Sequence, residues 1–341
     1  MSLEVTNVCP VDGDGRVVCE AKLETNPGAI ELFLAEWAIL LKRVGLEAFS
    51  YSASLFTALA EKGLPVTCIE TWYAKAALNA LLNKIDRNDA KDIAQIMRIG
   101  WFRAVHVESA GAQTLRALLV GRKAMLGEVL DMDNMICVLV RPFCLNVGEI
   151  SVGRFAARVR EIMAGKRELG AIVTPLLDAR SAMRMQLARL HGFALTAARG
   201  DSAVRRLMTL PDAVALVALT LHAIIDDSAR FRKSTNVGAH FGLTPRRSQS
   251  GQTDRIGSIS KCGDELTPAM LYEAAIAILT RIPKNFKLRL WGLRLARKKG
   301  LKRAATAVAR ALAVLLHKIW IDGTTFRFGA GGKRGRVAAA M

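Results

Sequence analysis

The side chains best suited to chemistry in the first third of this sequence are carboxylates. Glu47 follows the apolar run Val44-Gly45-Leu46, which places it at the end of a short strand, where ligands of such sheets commonly gather. Asp86 and Asp89 open a stretch that reads as helix to about Met97, and their three-residue spacing puts them on one helical face. Oxygen-rich carboxylate clusters hold Mg2+ or Mn2+. Two such ions activate an attacking oxygen and stabilise a leaving one in phosphodiester cleavage or transfer. Drawn together, Glu47, Asp86 and Asp89 would need a cation to offset their mutual repulsion. The plainer reading of the helical pair stays open: Asp86 as an N-cap and Asp89 as a favourable first-turn charge.

A second chemical group lies in the last third. The run from Gly242 to Gly263 is polar and rich in turn residues, and Ser250 stands beside Gly251 within it. Arg246, Arg247, Arg255 and Lys261 flank that serine and suit phosphate contacts. A hydroxyl there can attack a phosphodiester while the arginines stabilise the developing charge; it can equally hydrogen-bond a phosphate or cap a turn. No histidine lies nearby in sequence to complete a triad. Further on, Arg294, Arg297, Lys298, Lys299, Lys302 and Arg303 concentrate around Gly300, a patch suited to a nucleic-acid backbone.

The elements that must position these groups follow from pattern. Residues 5–11 and 16–23 read as strands about the hairpin turn Asp12-Gly13-Asp14-Gly15. Helices are expected at 28–41, 53–62 and 72–82, with strands at Val44–Leu46 and Pro65–Ile69. That order implies a mixed sheet covered by helices. Residues 109–140 and 150–200 are helix formers with apolar faces, an antiparallel hairpin or coiled-coil-like arm. Helices are also expected at 212–225, 265–280, 285–298 and 302–320. His191 and His222 have no ligand pattern around them and read as structural.

Charge is divided unevenly. The chain carries a formal net charge of +19. Residues 1–104 hold 11 Lys/Arg against 13 Asp/Glu, whereas residues 231–341 hold 22 against 5. Such asymmetry implies chemistry at one end and polyanion binding along the other. With 51% hydrophobic residues, the chain can bury a real core and is not the composition of a disordered protein. The six cysteines lack CxxC spacing, which argues against zinc and for free thiols in a reducing cytoplasm. The apolar run Ala311–Leu316 fits a buried helix better than a membrane span, and no secretion signal is read at the start.

The passages VGLEAFS and KAALNALLNKIDRNDAKDIAQIMRIGWFRAVHV resemble the first domain of bacterial insertion-sequence transposases with a DEDD, RuvC-like site. The passages ARFRKSTNVGAHFGLTPRRSQSGQTDRIGSISKCGDELTPAMLYEAA, WGLRLARKKGLKRA and ARALAVLLHKIWIDGTTF resemble the C-terminal transposase domain of the same family. The resemblance implies an α/β RNase H-like (RuvC-like) domain over residues 1–105, then a helical or coiled-coil spacer over 106–200. A mostly α-helical basic domain with a serine loop would occupy 201–325, and a flexible basic tail 326–341. It implies a recombinase whose acidic ligands fall on Glu47, Asp86 and Asp89 and bind Mg2+ (or Mn2+), and whose serine nucleophile falls on Ser250. DNA, an element-encoded guide RNA and further copies of the chain are the implied partners, in a bacterial cytoplasm.

Two departures from the family pattern stand out. The opening strand normally carries a first aspartate, and here Met1 stands where the valine after it would be; the expectation is an N-terminally incomplete domain. Pro211-Asp212-Ala213-Val214-Ala215 replaces a glycine-rich turn that would approach a DNA backbone closely. The alternatives are a RuvC-like junction nuclease using metal-activated water, and a catalytically impaired DNA- or RNA-binding relic.

Overall fold

The computed structural model describes residues 4–36, 41–49, 51–70, 86–211, 215–250 and 253–327, with the side chains of residues 86–88 outside that description. Backbone contacts divide the chain into two units, Met1–Glu108 and Ser109–Met341. The helix expected at 72–82, the Asp212–Val214 turn, Gly251 and the tail beyond residue 327 lie outside the described residues.

In the first unit, β1 (Val5–Val8) pairs antiparallel with β2 (Ala21–Glu24), and β3 (Val44–Glu47) pairs parallel with β4 (Val66–Ile69). The described strands form these two separate pairs, not the one mixed sheet expected from the strand order. The hairpin is also shorter than its Val-rich runs suggest. Beyond Val8 pairing is reduced to a single bridge, Val11 to Val17, because the Asp12–Gly15 turn takes the backbone out of register. There Asp12 accepts the Arg16 N–H at 2.8 Å and Gly15 has φ +88°.

Helix α1 (Pro27–Glu36) and helix α2 (Ser52–Glu61) close over this layer. Ile30, Leu34, Leu46, Leu55 and Leu59 are its buried core, drawn from α1, β3 and α2. Helix α3 (Asp86–Ile99) follows and packs against β3 and β1.

The second unit is almost wholly helical. Helix α4 (Ala110–Val140) and helix α6 (Arg167–Gly200) are the long members, joined through a 3-10 turn at Arg141–Phe143 and helix α5 (Phe155–Ile162). At 31 residues α4 is about 46 Å long. The two run antiparallel: Asp133 of α4 pairs with Arg180 of α6, while Arg122 donates to His191 Nδ1 at 3.3 Å. Arg180 is only 2% exposed, so its charge needs full compensation. Two Asp133 oxygens, the Val152 carbonyl and the Phe155 ring face at 4.5 Å supply it. Ile136, Val140, Val159, Val173 and Leu177 fill the far end of this hairpin.

Its near end merges with the main core of the unit, where Leu119, Ala194 and Ala198 are buried with the remaining helices. These are α7 (Ser202–Leu207), α8 (Ala215–Ile225), α9 (Thr235–His240), α10 (Leu266–Thr280), α11 (Lys287–Lys299) and α12 (Leu301–Ile321). Helix α8 is apolar all round except Thr220 and His222 and is buried along nearly its whole length, as such a composition requires. Thr220 satisfies its hydroxyl on the Leu216 carbonyl at 2.6 Å. Helix α12 is long and apolar enough to cross a membrane by length and composition, and half of that window is buried inside the protein. Ala304, Val308, Leu312, Leu316 and Ile319 form its core stripe.

Candidate functional site

In the first unit the acidic residues are positioned by one close approach. Glu47 ends β3, opposite Ile69 of β4. The helix carrying Asp86 and Asp89 lies directly on that strand because Gly45 has no side chain. A Cβ there would sit 2.5 Å from Met97 Cγ and 3.0 Å from Ile93 Cγ2. Three polar ties fix the same helix: Arg43 Nη1 donates to the Met97 carbonyl at 3.2 Å, Gln95 Nε2 to the Gly15 carbonyl at 2.6 Å, and Arg98 Nη1 to the Gly13 carbonyl at 3.3 Å. After Glu47 the chain turns at once, with Ser52 Oγ donating to the Phe49 carbonyl at 2.7 Å.

The result is a cavity of about 600 Å³ lined by both Glu47 and Asp89, with Asn7, Lys42 and Arg43 on its wall. Asp86 begins the helix one turn before Asp89, and its side chain lies outside the described residues. Asp92, which sequence reasoning passed over, continues the three-residue spacing of Asp86 and Asp89. Burial and then the negative charge of Asp89 raise its carboxyl above the usual carboxylate range, against the pull of Lys91. Asp92 does not line the cavity; the carboxylate oxygens of Glu47 and Asp89, which do, are the donors a hard divalent ion takes. Glu47 and Asp89 therefore fit such an ion. Among the described residues no group of three His, Cys, Asp or Glu side chains converges as a complete metal cage.

In the second unit, Ser250 lies on a two-stranded ribbon instead of the loop that its turn-rich composition suggests. Strand β5 (Pro245–Ser250) pairs antiparallel with β6 (Thr253–Ile259), and every residue from Pro245 to Ser250 is exposed. With no core to bury, the ladder is held by backbone hydrogen bonds and by cross-strand side-chain pairs. Arg247 forms a two-point pair with Asp254, at 2.7 and 2.6 Å. That contact lowers the Asp254 carboxyl below its ordinary range and raises the Arg247 guanidinium. Arg246 Nη2 donates to the Ser260 carbonyl at 3.0 Å. Arg255 and Lys261, and the Ser250 hydroxyl, have no side-chain partner among the described residues.

The root of the ribbon is fixed by backbone packing. Gly242 has φ +62°, and a Cβ there would meet the Cys262 backbone at 2.6 Å; Gly263 has φ +90°, and its Cβ would lie 2.8 Å from the His240 carbonyl. No side chain fits at either place. The adjoining Lys261 has φ +53°.

The basic patch sits where α11 ends and α12 begins. Gly300 links them at φ +82°, ψ 157°. Arg294, Arg297, Lys298, Lys299, Lys302 and Arg303 are all exposed, and none is ion-paired among the described residues. The two helices are held close by Gly292, whose Cβ would lie 2.6 Å from Val308 Cγ2. Arg297, Lys298 and Lys299 complement the C-terminal dipole of α11, whereas Lys302 and Arg303 oppose the N-terminal dipole of α12. His222 and His317, by contrast, pack within the helical unit: half-buried His222 stacks on Trp320 at 4.6 Å, and His317 is fully enclosed with Nε2 3.1 Å from the Ser228 carbonyl.

Comparison with known proteins bears on both units. The family described as "Transposase IS116/IS110/IS902 family" matches residues 204–290, which span helices α7 to α10, the ribbon and the opening of α11. Along its length the chain is similar to the "Transposase for insertion sequence element IS1111A" of Coxiella burnetii, 25% identical over 337 residues. That match covers 96% of this chain and 90% of the relative. The "Transposase for insertion sequence element IS1328" of Yersinia enterocolitica is 24% identical over 246 residues, covering 72% of this chain and 74% of that protein. The chain is thus similar to bacterial insertion-sequence transposases along most of its length, and to the IS116/IS110/IS902 family over residues 204–290.

Proposed function

We propose that this protein is a DNA transposase that joins an acidic, RuvC-like metal site to a serine nucleophile. The observation that carries the metal half is that Glu47 and Asp89, from separate elements, line one cavity. Glu47, Asp89 and Asp86 would hold Mg2+ or Mn2+. Such ions supply charge neutralisation and activation of an oxygen in phosphodiester chemistry. The rest of the task falls to this chain's own residues. Gly45 and the Arg43, Gln95 and Arg98 ties hold the carboxylates in register. The exposed ribbon presents the Ser250 hydroxyl to a DNA backbone, and the patch about Gly300 binds flanking phosphates.

Attack by Ser250 Oγ on phosphorus forms a serine–phosphate bond as the bond to the leaving sugar oxygen breaks, and that oxygen takes up the serine's proton. Guidance by an element-encoded RNA and action as a homo-oligomer in the bacterial cytoplasm belong to the same reading, on the strength of the family resemblance.

The test is a covalent-adduct assay. The full chain is incubated with Mg2+, duplex DNA spanning the element ends, and the transcript of the noncoding DNA beside the gene. Denaturing gels should show a protein–DNA adduct that Ser250→Ala abolishes and Glu47→Gln reduces by about 10²-fold or more. Metal-dependent nicking that persists unchanged in Ser250→Ala, without any adduct, would replace this reading with a metal-activated-water nuclease.

A further inference from the structure

We propose that the ribbon has one working face, and that Arg255 on that face takes the charge developing on the phosphate attacked by Ser250. The proposal rests on the serine reading above. In an antiparallel pair, directly opposed residues share a face and successive residues alternate. Ser250 is opposite Thr253 and Ser248 is opposite Arg255, whereas Gln249 is opposite Asp254 and Arg247 is opposite Ile256. One face therefore carries Ser248, Ser250, Thr253 and Arg255. The other carries Arg247, Gln249, Asp254 and Ile256.

The two faces differ in whether their arginine is free. The Arg247 fork is filled by the Asp254 carboxylate through both oxygens, in the two-point geometry by which arginine also binds phosphate. Arg255 shares the serine's face, is exposed, and has no side-chain partner among the described residues. It stands diagonally across the ladder from Ser250, a separation of roughly 7–8 Å between backbones. A guanidinium on a three-carbon stem spans that gap to a phosphate seated against the serine hydroxyl. As the new phosphorus–oxygen bond forms and the old one breaks, negative charge grows on the non-bridging oxygens. Arg255 keeps its proton throughout and donates N–H groups to those oxygens. Arg247, held by Asp254, stiffens the back of the ribbon.

Chemical rescue tests the assignment. On ordinary DNA, Arg255→Ala should slow adduct formation by about 10²-fold, and Arg255→Lys, which keeps charge without the fork, by less. Arg247→Ala, which loosens the back of the ribbon without removing a group from the serine's face, should slow adduct formation on ordinary and methylphosphonate DNA by the same factor. A methylphosphonate at the scissile position removes the charge that Arg255 would meet, so Arg255→Ala should approach the wild-type rate on that substrate. A packing defect would stay slow on both. A Ser250-dependent adduct that forms at the wild-type rate in Arg255→Ala, or that methylphosphonate fails to restore, overturns the Arg255 role alone. Absence of any Ser250-dependent adduct in the unaltered protein overturns the serine reading, and the Arg255 role with it.

Discussion

The acidic cavity and the basic ribbon handle charge in opposite ways. The cavity is concave. Its wall includes Glu47, on a strand, and Asp89, on a helix that a glycine contact seats on that strand and that hydrogen bonds tie to Arg43 and the Gly13–Gly15 turn. The ribbon and the patch about Gly300 are convex, with nearly every charged group in water. On the function proposed above, the difference follows from what each sign would meet. Like-charged carboxylates focused on a small cation need a confined site that fixes their spacing. Cations that meet a long polyanion gain from being spread over an accessible surface, where each contact releases a counterion.

The comparison can be broken from the convex side first. Replacing Lys298, Lys299 and Lys302 together with glutamine should reduce the salt dependence of DNA binding by a slope of about 2.7 and weaken binding by about two powers of ten near 0.1 M salt. The thermal midpoint should stay unchanged, since all three are exposed. Titrations at several salt concentrations read this directly, and an unaltered slope would remove the patch from the interface.

On the concave side, Gly45→Val should destabilise the protein by about 1–3 kcal/mol, because its Cβ would press on Met97 and Ile93. It should also cancel any Mg2+-dependent rise in melting temperature, as it moves Asp89 away from Glu47. Retention of that rise would show that the spacing does not depend on this contact.

The smallest effect belongs to pH. Burial lowers His317 below 6.5 despite its hydrogen bond to Ser228, and burial lowers His222 despite Asp201 and Asp226. Both rings are neutral in the fold at neutral pH, whereas the unfolded chain protonates them below about pH 6.5. Their contribution is therefore intact above that value and is lost as pH falls toward the lower folded values. Melting curves from pH 7.5 to 5 should show the decline, flattened in His317→Gln.

Much of the architecture was legible because periodicity is a local signal. The helices at 266–280, 287–299 and 301–321 fall within about two residues of their expected places, and β3 and β4 were both anticipated. The ribbon was not, since Arg, Ser, Gln and Gly show no apolar alternation when neither face is buried. The β-branched Thr253, Ile256 and Ile259 were the available hint. Glu47 and Asp89 were legible as residue types, but what unites them is Gly45, whose role depends on a helix far along the chain. Asp254 was invisible as a partner for Arg247, because cross-strand neighbours depend on register.

The fixed root of the ribbon has a mechanical corollary. Strand β5 has six residues, a lever arm of about 20 Å, with Ser250 at its free end. A rotation of about 5° at the fulcrum, where Gly242 and Gly263 press on backbone, swings the tip by about 1.7 Å. Misplacement of only about 1 Å costs a reacting group on the order of 10²-fold in rate. On the serine reading proposed above, angular tolerance at two glycines that touch no substrate would thus set how accurately the hydroxyl is aimed.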